Sequence, residues 1–185
     1  DFQGLVKGSE LDAYNAALEK HPYKGVILVC PYPPNGLGGV GERAKYARYL
    51  FDELLPYTRN HMRVPKTREG WGVDGISLGG LLSTWVGFEY PQHFAAIGSQ
   101  QASVGSRWAF MSGFVKKNFD ALRTRHINIA TSSQDPFKNG LIRFSASLEK
   151  AGVDHRFTIL PGRHDKQFVK GPGSMELLLF HDRVL

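Results

Sequence analysis

Apolar positions along the chain follow two patterns in alternation. The first is a set of short runs with no polar face: Val26-Ile27-Leu28-Val29-Cys30, Phe94-Ala95-Ala96-Ile97-Gly98-Ser99, Ile127-Asn128-Ile129-Ala130-Thr131 and residues 155–160. Short, rich in β-branched residues and bounded by turn formers, these read as strands, and 26–30 as a parallel strand buried on both faces. The second pattern has helical spacing. It covers Leu11, Tyr14, Ala17 and Leu18 behind the N-cap Ser9, then Tyr46, Tyr49, Leu50 and Leu54 in a helix over 42–58 that Pro56 is expected to kink or shorten. It returns over 81–90, 114–123, 141–151 with Gly152 as the C-cap, and 174–185. Residues 31–41, 60–70, 100–113, 132–140 and 161–165 read as loops and turns. Trp71-Gly72-Val73-Asp74 stands where a further strand is needed, although Gly72 and Asp74 make it a poor one. Strands alternating with helices predict an α/β parallel sheet, with functional side chains at the carboxyl ends of its strands.

A chain of 185 residues with 42% hydrophobic content is the size of one domain with a real core. No apolar run reaches the roughly 20 residues needed to span a bilayer, so no membrane span is expected. The net charge of +6, from 23 Lys and Arg against 17 Asp and Glu, raises a nucleic-acid reading. The basic residues are scattered, however, and dense only over 59–68 and 116–125, which read as a solvated linker and the polar face of a helix. Nucleic acid is therefore not expected as a partner. Cys30 is the only cysteine, which excludes an intrachain disulfide and a cysteine-based zinc site. Within its apolar run it reads as a buried core thiol.

The chemistry starts at Gly75-Ile76-Ser77-Leu78-Gly79-Gly80, between a strand-like run and a helix. G-x-S-x-G is the pattern of a nucleophile elbow. Side chains two residues either side of the serine would collide in so tight a turn, so glycine is expected at Gly75 and Gly79. The N–H of Leu78, at the start of the helix, is placed to stabilise an oxyanion. A serine hydroxyl also needs an imidazole to take its proton, and the imidazole needs an acid to hold its tautomer. Asp135 follows the strand over 127–131, and His164 follows the strand over 155–160. Taken singly, Asp135 is a turn residue before proline and His164 a surface-turn histidine. The order Ser77, Asp135, His164 after successive strands is that of α/β-hydrolases. Asp165 is the rival acid, but adjacency to His164 in the chain leaves it badly placed to hold the ring from behind. Tyr32, Gln100, Gln101 and Trp108 fall in predicted loops able to wall a pocket, each with a purely structural reading beside it.

The elbow, Tyr90-Pro91 before the run over 94–99, Ser133-Gln134-Asp135-Pro136-Phe137 and Pro161-Gly162-Arg163-His164-Asp165 together resemble the esterase branch of the α/β-hydrolases. Enterochelin esterases, S-formylglutathione hydrolases, feruloyl esterases and mycolyltransferases belong to that branch, and the resemblance covers the chain from Val26 onward. It implies an α/β-hydrolase fold, a mostly parallel sheet with helices on both faces. It implies Ser77 as nucleophile, His164 as base, Asp135 as acid and Leu78 as one oxyanion donor, in a serine esterase acting on a small-molecule ester through an acyl-enzyme without a cofactor. An acyltransferase of the mycolyltransferase type, or a non-catalytic binding module on the same fold, are the alternatives. Gly72 and Asp74 depart from the branch, where apolar residues usually precede the elbow. In this fold the strand before 26–30 lies between it and the elbow strand, and its loop supplies the second oxyanion donor. The expectation is therefore a single catalytic domain over 1–185 that forms the C-terminal part of a longer chain, its N-terminal strands lying upstream.

Overall fold

Four parallel strands lie side by side in chain order: β1 (Gly72–Val73), β2 (Ala96–Gln100), β3 (His126–Gln134) and β4 (Arg156–Arg163). The computed structural model describes residues 25–32, 40–104 and 107–185, and the helix expected behind Ser9 lies outside them. The helices are α1 (Val40–Arg48), α2 (Leu55–His61), α3 (Leu78–Glu89), α4 (Trp108–Lys117), α5 (Phe119–Leu122), α6 (Lys138–Lys150), α7 (Lys166–Phe168) and α8 (Ser174–Val184). Parallel neighbours need crossovers, and α3, α4 with α5, and α6 supply them. The α/β architecture is the expected one.

Successive residues of a strand point to opposite faces of the sheet, and the two faces differ here. On one, Ile97, Ile127 and Ile129 join Trp85, Val86 and Phe88 of α3, Met111 and Val115 of α4, and Leu141, Phe144 and Leu148 of α6 in the main core. Each such side chain, fully buried, contributes on the order of 1.5–3 kcal/mol, so this face carries most of the stability. The contact is close: a Cβ at Gly87 of α3 would lie 2.6 Å from Ile97 Cγ2. On the other face lie the alternate positions Gly98, under the Asp74 side chain, and Asn128, whose Nδ2 donates to Glu176 of α8 at 3.1 Å. Helices thus cover both faces.

Several elements differ from the sequence reading. Residues 25–30 are neither strand nor buried; Ile27 is 55% and Leu28 62% exposed. Cys30 is exposed as well, not a core thiol. A strand buried on both faces needs a hydrogen-bonded neighbour, and among the described residues β1 pairs with β2 alone. The helix expected over 42–58 runs from Val40 to His61 without a break. Pro56 has no N–H and its ring crowds the preceding turn. The chain meets this by widening to a π-helix over Tyr49–Leu54, where Leu55 N–H bonds to Leu50 O, and the helix then continues. Trp108 opens a helix rather than lying in a loop, because its ring packs edge-on against Phe144, centroids 5.8 Å apart. Finally, β3 and β4 reach Gln134 and Arg163, so Asp135 and His164 are the first residues beyond their ends.

Candidate active site

Ser77 is the N-cap of α3 and has φ 60° and ψ −116°, a conformation non-glycine residues rarely adopt. The turn is pinned to β2. Ser77 N–H donates to Gln100 O at 2.9 Å, and Gln100 N–H donates to Gly75 O at 2.9 Å. The glycines divide the work differently from the sequence expectation. A Cβ at Gly75 would overlap the backbone of Gly79, and one at Gly80 would come within 2.7 Å of Gln100 O, whereas one at Gly79 would meet nothing within 4 Å. The tight approach is therefore borne by Gly75 and Gly80. Leu78, the first residue of α3, is exposed, and its N–H precedes the first intrahelical hydrogen bond.

The ends of β3 and β4 bring two further side chains to this turn. His164 Nε2 stands 3.0 Å from Ser77 Oγ, and His164 Nδ1 stands 3.0 Å from Asp135 Oδ1. With its proton on Nδ1, the imidazole donates to Asp135 and accepts from Ser77. The Asp135 side chain is fully buried, and the His164 side chain is 27% exposed. Asp135 has two further donors: Thr131 Oγ1 reaches Oδ2 at 2.6 Å, and Phe137 N–H reaches Oδ1, beside the imidazole, at 3.0 Å. Asp165 does not approach the ring of His164 in this way; its Oδ1 caps α7 by accepting from Phe168 N–H at 2.9 Å.

Of the expected pocket-wall residues, Tyr32 is 86% exposed and Trp108 belongs to the core packing. Gln100 is the last residue of β2 and fully buried. Gln101, also buried and at φ 46°, is a brace: its Nε2 donates to Ser132 Oγ at 2.7 Å and to Arg163 O at 2.9 Å, tying the end of β2 to the strands β3 and β4 that lead to Asp135 and His164. Thr131 and Phe137 were not singled out by the sequence. Phe137 lies edge-on to the His164 ring, with centroids 5.3 Å apart. The only signal for them was position, four residues before and two after an acid at a strand end. Among the described residues no group of three His, Cys, Asp or Glu side chains is gathered to hold a metal ion.

The family model described as Putative esterase matches residues 34–165, a span that includes Ser77, Asp135 and His164. The chain belongs to the Putative esterase family. Solved structures similar to this family member include a ferulic acid esterase, at 21% identity and TM-score 0.67 over 75% of this chain and 61% of that one. Also similar are S-formylglutathione hydrolase FrmB from Staphylococcus aureus (16% identity, TM-score 0.62, 75% of this chain and 65% of that one) and the enterobactin esterase of Shigella flexneri (18% identity, TM-score 0.59, 77% and 42%). These likenesses show the α/β-hydrolase fold, and the chain spans less than two thirds of the length of each of the three. A search of curated proteins found no match.

Proposed function

We propose that residues 1–185 form one catalytic domain, a serine carboxylic-ester hydrolase with Ser77 as nucleophile, His164 as general base and acid, and Asp135 as the group that holds the imidazole. The observation that carries this reading is the unbroken line of contacts from Asp135 through His164 to Ser77, ending on a serine in a strained turn. Ser77 Oγ attacks the ester carbonyl carbon as its proton passes to His164 Nε2. The negative oxygen of the tetrahedral intermediate faces the N–H of Leu78. Collapse breaks the carbonyl carbon–alkoxy bond, and His164 gives its proton to the leaving alcohol. Water then loses a proton to His164 and attacks the acyl group on Ser77; the acid departs and Ser77 regains its proton. Asp135 keeps Nδ1 protonated throughout, so that Nε2 is the lone pair facing the serine.

The substrate class proposed is a small-molecule ester. The similar structures named as a ferulic acid esterase, an S-formylglutathione hydrolase and an enterobactin esterase make a feruloyl ester and a graded series of p-nitrophenyl esters the first substrates to try. A fluorophosphonate should label the wild-type protein and fail to label Ser77→Ala and His164→Ala, with ester hydrolysis lost in step. Full activity in folded Ser77→Ala removes the assignment. If an added alcohol is recovered as its ester in place of the free acid, the reaction is acyl transfer.

A further inference from the structure

Gly72 and Asp74 break the apolar pattern before the elbow, and the structure gives both a use. The Asp74 side chain is buried beside β2, where its Oδ1 accepts from Gly75 N–H at 2.6 Å and its Oδ2 lies 3.2 Å from His181 Nε2 of α8. The neighbours leave room for the pair. A Cβ at Gly98 would overlap the Asp74 carboxylate, and a Cβ at Gly72 would overlap the His181 ring. Four positions, Gly72 of β1, Asp74 just beyond it, Gly98 of β2 and His181 of α8, are thus fitted to one another, with acid and imidazole 107 residues apart in the chain. The pair lies on the sheet face opposite the main core, beside Glu176, which accepts from Asn128 and pairs with Arg156.

Stability alone accounts poorly for such a group. Burial works against the Asp74 carboxylate and pushes its pKa up, with the contacts to His181 opposing that rise. An apolar side chain of similar volume would hold α8 to the sheet at no desolvation cost. What an apolar residue would not supply is an acceptor for Gly75 N–H. Gly75 is the residue whose backbone is wedged against Gly79, and whose carbonyl is tied to Gln100. Ser77 follows two residues later.

We propose that Asp74, held by His181, is a positioning residue for the elbow: it fixes the Gly75 peptide and through it the direction of Ser77 Oγ toward His164. The inference rests on the serine-hydrolase reading above for its catalytic consequence, and on the geometry alone for the fixing of Gly75.

The test compares wild type, Ser77→Ala, Asp74→Ala and Asp74→Asn in the full chain, with folding checked by circular dichroism. Asparagine keeps an acceptor for Gly75 N–H, and alanine does not. Misplacing a reacting group by about 1 Å lowers rates by up to roughly a hundredfold. Asp74→Ala should therefore label with fluorophosphonate roughly ten- to a hundredfold more slowly and lose kcat with KM nearly unchanged, while Asp74→Asn recovers most of the rate. Labelling of folded Asp74→Ala at the wild-type rate, or equal slowing in both variants, overturns the proposal. If Asp74→Ala does not fold, His181→Leu and His181→Gln replace the pair: leucine removes the donor to Asp74 and should slow labelling, glutamine keeps it and should not, and equal rates overturn the proposal. Should wild type and Ser77→Ala behave alike, the hydrolase reading fails first. Hydrogen exchange at the Gly75 amide then decides on its own, protected in wild type and Asp74→Asn and fast in the alanine variant if Asp74 fixes this peptide, equally protected in all three if it does not.

Discussion

Asp135 is held still by its near neighbours: the Thr131 hydroxyl, the Phe137 amide and the His164 imidazole all donate to its fully buried carboxylate. Asparagine at this position has one acceptor oxygen in place of two and turns an N–H2 toward one of the three donors. The imidazole then settles in the wrong tautomer. Asp135→Asn should accordingly reduce kcat by about 10³- to 10⁴-fold with a far smaller change in KM, measured on any ester the protein accepts. Asp165→Asn tests the rival. As an N-cap it contributes on the order of 1 kcal/mol of stability, and asparagine caps nearly as well, so its activity should stay close to wild type. The reverse result would exchange the two acids. At this scale the meeting of Ser77, Asp135 and His164 was readable, because each follows a strand-like run in the sequence. The sequence offered Gln101 as a pocket wall and not as a brace, and was silent on the Asp74–His181 contact, because side chains meeting across 107 residues leave no local pattern.

Between elements the same division holds. Strands β2 to β4 and helices α3, α6 and α8 follow the periodicity, since one apolar face dictates each of them. The elements that departed from it were settled by neighbours. Residues 25–30 have strand composition without a strand partner among the described residues, α4 begins early because Trp108 finds Phe144, and the helix over Val40–His61 absorbs Pro56 by a π-turn. That helix docks on the rest of the domain partly through Phe51, whose ring stacks on His93 with centroids 4.1 Å apart. Burial, and then the nearby charge of Arg59, hold the His93 imidazole below its ordinary pKa of 6.5. The unfolded chain therefore takes up this proton before the folded one does. The resulting stability is present above about pH 6.5 and is lost as the pH falls through the lowered folded value. Melting temperature should drop between about pH 7 and pH 5, and His93→Phe, which keeps the stack without the titration, should flatten that part of the curve. An unchanged slope in the variant would place the acid sensitivity elsewhere.

Across the whole molecule, the three proposed catalytic side chains belong to three different strand ends, and their separations along the chain are large. His164 lies 87 residues from Ser77 and 29 from Asp135. Among the described residues no strand pairs with a hairpin neighbour; each parallel contact must wait for a whole crossover to close. Loop closure makes this cheap in free energy, since a 107-residue loop costs only about 1.2 kcal/mol more than a 29-residue one. It is expensive in time, because contacts of this range form late. On dilution from denaturant, reactivity toward fluorophosphonate should therefore return with the slowest phase of tryptophan fluorescence, and helical signal should precede both. Early reactivity would mean that the elbow is competent before β4 docks. The parallel order of the strands thus implies that the proposed nucleophile waits for β4, so that a partly assembled chain carries Ser77 with no imidazole beside it.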